Sequence, residues 1–145
     1  MTTHPVVPPL STTQQARKLL RGEVTTTRPK YRENAMAHFM LRWQLKDATA
    51  QALIAKPQDR TRPAKTLIEG FGGKLHQYFF ALGEYDGVGI CEFPDNVSVV
   101  ACSMHASATG AFSRFETTAL LTAKEAEAAM KQAHDAKVGY RPPNA

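Results

Sequence analysis

The feature that most restricts this chain is the order in which its apolar period changes after Met36. Phe39, Leu41 and Trp43 alternate with His38, Met40, Arg42 and Gln44, which predicts a strand with one apolar face. Asp47 to Ala55 (DATAQALIA) is helix-forming and stops before Pro57, whose ring disfavours α geometry at Lys56. A second helical stretch starts near Thr61, tolerates Pro63 in its first turn, carries Leu67, Ile68 and Phe71, and is ended by Gly70, Gly72 and Gly73. Leu75 to Leu82 reads as an aromatic-rich strand, Gly83-Glu84-Tyr85-Asp86 as a turn, and Gly87 to Phe93 as the returning strand of a hairpin. Pro94-Asp95-Asn96 opens a helix on which Val97, Val100, Ala101, Met104 and Ala108 recur at helical spacing. Phe112 to Leu121 predicts a fourth strand. Thr122 to Glu125 fits a capping box, and the helix behind it carries Ala126, Ala129, Met130 and Ala133 on a narrow stripe.

This order predicts an α+β fold, a ferredoxin-like βαββαβ sandwich with a four-stranded antiparallel sheet plus a C-terminal helix. With right-handed crossovers, both main helices fall on one sheet face. The other face is then bare, and burying it against a second subunit is the simplest way to cover it. A homodimer through the sheet face is therefore expected.

Charge divides the chain at the same place. Residues 1–35 carry six basic and two acidic groups, so +4 of the formal net charge of +5 sits on a Pro- and Thr-rich tail, expected to be disordered or extended. Residues 36–137 form the expected α+β domain, nearly neutral, and residues 138–145 a C-terminal tail. A neutral domain without a basic face or interleaved aromatics argues against nucleic acid as a partner. No apolar run is long enough for a membrane helix. Two cysteines make no disulfide scaffold, and no signal-peptide core follows Met1, so the cytoplasm is the expected compartment. Ser11 to Gly22 (STTQQARKLLRG) has the signals of one short helix. It reads as a solvated leader, or as sequence ahead of a true initiator at Met36; as a segment docking a protein partner; or as a targeting leader.

The residues around the hairpin resemble a known family. Gly72-Gly73-Lys74-Leu75-His76 to Tyr78, then Leu82-Gly83-Glu84-Tyr85-Asp86, an apolar strand and Pro94-Asp95, resemble the GYD-domain family, small proteins of the dimeric α+β-barrel superfamily. The similarity runs from about Met36 to Ala133, through Phe115-Glu116-Thr117 and Thr122-Ala123-Lys124-Glu125-Ala126. Here the motif reads GEYD, so Gly-Tyr-Asp is not contiguous. The family takes its name from sequence and implies no activity.

Several side chains are candidates for ligand binding. Gly83 to Asp86 serves a turn directly, with Gly83 supplying positive φ and Asp86 bonding its own backbone; a functional role makes Tyr85 a ligand-lining hydroxyl and Asp86 its partner. By the two-residue period His76 shares a face with Tyr78, Arg42 with Gln44, and Arg114 with Glu116, a constellation suited to an anion or a carbonyl group. Arg114 and Glu116 are expected to pair within or between subunits. Gly87 and Gly89 leave a hole in one face of the third strand, open to a ligand or to a bulky side chain. Cys102 and His105 stand at i, i+3, a spacing used by metal ligands, but ordinary core packing explains them better, and no metal site and no cofactor are expected. No Gly-x-Ser-x-Gly, Walker or His-Glu-x-x-His motif occurs.

The expected function is therefore a homodimeric small-molecule-binding or accessory protein, its ligand small and apolar or anionic, held on the sheet face or in the sheet-helix cleft. Fold relatives of the family it resembles include cofactor-free monooxygenases and isomerases, so an enzyme acting on a small aromatic or carbonyl compound is the alternative. A third reading is an assembly component docked through residues 1–35. A cavity of at least roughly 300 Å³ is required by the first two.

Overall fold

The computed structural model describes residues 35–144. The helix expected at Ser11–Gly22, and the tail around it, lie outside the described residues. The elements follow as β1 (Ala37–Leu45), α1 (Asp47–Ala55), α2 (Thr61–Gly70), β2 (Lys74–Phe80), β3 (Gly87–Phe93), α3 (Asn96–Ala108), β4 (Phe112–Leu120) and α4 (Ala123–Asp135). The strands pair antiparallel in the order β2-β3-β1-β4, so the fold is the α+β, ferredoxin-like sandwich that the periods predict.

The core lies between the sheet and the helices. Phe39, Leu41 and Trp43 from β1 and Cys91 and Phe93 from β3 meet Ile68 from α2 and Val99 and Cys102 from α3. Burying a large apolar side chain contributes about 1.5–3 kcal/mol, which makes this single layer the main source of stability. Both cysteines are buried and unpaired. The starts of α3 and α4 are fixed locally by side-chain caps. Asp95 accepts from the Ser98 N–H at 2.7 Å, and Thr122 and Glu125 form the expected capping box at the start of α4.

Two expectations are corrected. On α3 the buried positions are Val99, Cys102 and Ala106, whereas Val97 and Met104 are 78% and 67% exposed. The helix carries two apolar stripes, and only the one offset by two residues meets the sheet. The second correction concerns β2. Its pairing with β3 shifts between Leu75 and Gln77, so that Leu75 opposes Cys91 and Gln77 opposes Ile90. The extra residue turns the strand over. His76 therefore reaches Glu92 on the outer face, while Tyr78 packs against Trp43 on the helix-facing side. The two do not share a face. The strand also ends at Phe80 rather than Leu82.

No residue of the outer sheet face on β1 or β3 (His38, Met40, Arg42, Gln44, Val88, Ile90, Glu92) is buried. The stripe on α4 is likewise uncovered, with Met130 70% exposed and none of the helix's residues buried. Among the described residues no helix is long and apolar enough to cross a membrane.

Candidate functional site

The pause between α1 and α2, imposed by Pro57, separates the first crossover into two short helices. A cavity of about 410 Å³ opens beneath them. Its floor is the inner sheet face, where Trp43, Tyr78 and Phe115 meet. The Trp43 and Tyr78 rings are 5.1 Å apart between centroids, and Trp43 stacks on Phe115 at 6.3 Å. Its roof is Leu53 of α1 with Ala64 and Leu67 of α2. Gly89 contributes no side chain, which leaves part of the floor open.

Polar groups at this cavity are few. Gln58 and Arg60 come from the interhelical pause, and Arg60 Nη1 donates to Gln58 Oε1 at 2.8 Å. Among the described residues no carboxylate lies within ion-pair distance of Arg60. Tyr78 is half-buried, and desolvation pushes its phenol up, with the nearby Arg60 charge acting in the opposite direction. An aromatic chamber with one unpaired cation can enclose an apolar molecule and neutralise an acidic group on it.

Of the side chains expected to bind a ligand, only Tyr78 lines this cavity, together with Gly89 and Cys102, which the sequence singled out for other reasons. Arg42, Arg114, Glu116 and Tyr85 come together instead on the outer face. Arg42 Nη2 donates to Glu116 Oε2 at 2.9 Å, Arg114 pairs with both Glu116 and Glu84, and Gln44 donates to the Glu84 carbonyl. The Tyr85 ring lies under both guanidinium groups, at 4.4 Å from Arg42 and 5.3 Å from Arg114. Its hydroxyl bonds Glu116, which holds that carboxyl below the ordinary range and the phenol above its own. Two cations face two carboxylates, so this network closes on itself and presents no free charge to an anion.

Asp86 secures the hairpin. Its carboxylate accepts from the Leu45 N–H at 2.7 Å, and its own N–H donates to the Trp43 carbonyl at 2.9 Å. His76 stands at the other end of the outer face beside Glu92 and His38. Cys102 and His105 do not converge. The thiol is in the core, and the imidazole is exposed and packs on Phe71.

The cavity residues Trp43, Arg60, Phe115 and Leu53 were not identifiable as a group from sequence. The one available signal was the pair Gly87 and Gly89 beside a strand with the single tryptophan.

Comparison with known proteins places a family described as GYD domain on residues 39–130. No curated protein matches the chain. Among solved structures, MtbAldR aligns with a TM-score of 0.46 at 14% identity, covering 74% of this chain and 66% of its own. MupZ from Pseudomonas fluorescens aligns with a TM-score of 0.35 at 12% identity, covering 77% and 98%. The chain thus spans just under two thirds of the length of MtbAldR.

Proposed function

The chain belongs to the GYD-domain family, and from that premise we propose that it is a small-molecule-binding protein whose ligand is an aromatic or otherwise apolar acid held between the sheet and the divided crossover. The observation that carries this reading is the 410 Å³ chamber with Trp43, Tyr78 and Phe115 on its floor and Arg60 at its polar end. Ligand sites typically run from about 300 to 1,000 Å³, so the space suits a compound of one or two rings. The unpaired guanidinium supplies orientation, because a carboxylate brought into this chamber gives Arg60 the ion-pair partner that no carboxylate of the described residues provides. Nothing in the reading requires bond-making chemistry.

Two uncovered surfaces, the outer sheet face, where Met40, Phe79, Val88 and Ile90 stand among polar side chains, and the apolar stripe of α4, support a homodimer as the working form. Light scattering at micromolar concentration is expected to return about twice the 16.0 kDa of one chain. The two unpaired thiols support a reducing compartment, the cytoplasm in this reading.

Native mass spectrometry of gently purified protein tests the ligand. A bound small acid, released on denaturation, is expected in the wild type. Arg60→Leu is expected to lose affinity for an aromatic carboxylate by tenfold or more, on the order of 1.4 kcal/mol, while binding its neutral amide as before. An equal loss for acid and amide contradicts the role of Arg60, and no binding of either contradicts the proposal.

A further inference from the structure

Three side chains unused by the cavity converge at the opposite side of the sheet. His38 on β1 and Glu92 on β3 are direct cross-strand partners. The bulge in β2 lets one edge strand send His76 outward to them while Tyr78 points inward. His76 Nε2 lies 2.7 Å from one Glu92 oxygen, and His38 Nε2 lies 3.4 Å from the other. The two imidazoles are stacked, with centroids 6.1 Å apart and planes at 18°. The donor atoms of the three residues all lie within 4.8 Å of one another. We propose that His38, His76 and Glu92 bind one divalent transition-metal ion, such as zinc(II), with a further coordination position left to solvent.

The argument rests on donor chemistry and spacing. Imidazole nitrogen with a carboxylate suits zinc, copper, nickel or iron, while magnesium and calcium prefer all-oxygen sets. Tetrahedral ligands at about 2.0–2.1 Å from zinc stand roughly 3.3–3.4 Å from each other. The two histidine–Glu92 distances of 2.7 and 3.4 Å bracket that spacing, and the remaining histidine–histidine separation, within 4.8 Å, is closed by rotation of the imidazoles toward the ion. Three adjacent strands supply the ligands, which fixes their backbones. Two histidines and one carboxylate leave the fourth position of zinc open, the arrangement of sites that exchange water or substrate. All three side chains are between 20% and 35% exposed in the single chain, so the ion can enter from solvent before this face is covered by a second copy. All three come from one chain, so the site is complete without a partner. It lies across the sheet from the proposed ligand chamber and does not depend on that reading.

The test is zinc(II) titration by calorimetry on the full-length, chelator-treated chain, with cobalt(II) absorption as a second readout. One ion per chain is expected. His38→Ala and His76→Ala should each weaken binding at least about a hundredfold, since losing a direct ligand should exceed the roughly 10–100-fold cost of losing a supporting partner. Glu92→Gln, which conserves shape, should weaken it as well. Substitution of the other three histidines, His4, His105 and His134, should leave it unchanged. Each variant's far-ultraviolet circular dichroism confirms its fold, and if an alanine variant unfolds, Glu92→Gln alone decides. The proposal is overturned if the wild type takes up no zinc, if binding survives in the folded variants, or if cobalt shows a thiolate charge-transfer band, which would place the ion on cysteine.

Discussion

Trp43 and Gly87 face each other across the β1–β3 pair, and a β-carbon at position 87 would stand 2.2 Å from the indole ring. The missing side chain is what lets the tryptophan lie flat on β3 and form the floor of the chamber. Gly87→Ala is therefore expected to destabilise the fold by about 1–3 kcal/mol or more, the usual range for overpacking a core. Gly89 is different. Its added β-carbon would meet nothing closer than 3.7 Å. Gly89→Ala should stay within about 1 kcal/mol of the wild type in denaturant melts. Equal effects at the two positions would contradict this packing.

The Tyr85–Glu116 bond predicts a two-sided pH dependence. Glu116 is held below the ordinary carboxylate range, so its contribution is present above the unfolded-state pKa and is lost as pH falls through the lowered folded value. Tyr85 is held above the ordinary phenol range, so its contribution is present below the unfolded-state value and is lost as pH rises through the raised one. The difference in melting temperature between wild type and Tyr85→Phe should be widest near neutrality and shrink at both extremes. A difference that does not vary with pH would show that the lost hydroxyl acts only through packing.

Burial should silence both thiols. Desolvation pushes Cys91 up to about 12 and Cys102 up to about 11, and the Cys91 thiol donates to the Phe39 carbonyl at 3.6 Å. Only the thiolate reacts at an appreciable rate. A disulfide reagent should label neither cysteine in the native protein at mildly alkaline pH and both after unfolding. Rapid native labelling would contradict the core assignment.

The start of α4 depends on its cap more than on packing. Thr122 Oγ1 accepts from the Glu125 N–H at 3.2 Å, and Glu125 Oε2 accepts from the Thr122 N–H at 2.7 Å, while no residue of the helix is buried. Thr122→Ala should remove about 1 kcal/mol locally. Amide exchange is expected to accelerate in α4 and not in β1 or β3. Faster exchange throughout the sheet would mean that α4 is coupled to the core.

The fold was legible in the sequence because each element announces itself locally. Asp47–Ala55 and Gly87–Phe93 coincide with the observed bounds, since proline, glycine and a switch of period mark both ends. The capping box at Thr122 was equally plain. What could not be read is where a tertiary choice lies between two locally equivalent options. On α3 both Val97-Val100-Met104 and Val99-Cys102-Ala106 are apolar stripes, and only the sheet selects between them. On β2 the single-residue bulge leaves no mark in LHQY, so strict alternation puts His76 and Tyr78 on one face. The shared face of Arg114 and Glu116 was readable, but their meeting with Arg42 and Tyr85 required the β3-β1-β4 order and the folded-over turn. Arg60 gave no signal, because it reaches the chamber from an irregular pause and not from a periodic face.

The most direct test of the proposed chamber uses its own chromophore, since Trp43 is the single tryptophan of the chain and forms the cavity floor. Titration with an aromatic carboxylate such as 2-naphthoate should produce a saturable change in tryptophan emission. In Gly89→Leu, which adds a bulky side chain at a position lining the cavity, that change should be weakened at least about tenfold, with circular dichroism unaltered. Wild-type emission that stays constant up to millimolar ligand, or equal saturation in wild type and Gly89→Leu, would contradict the account.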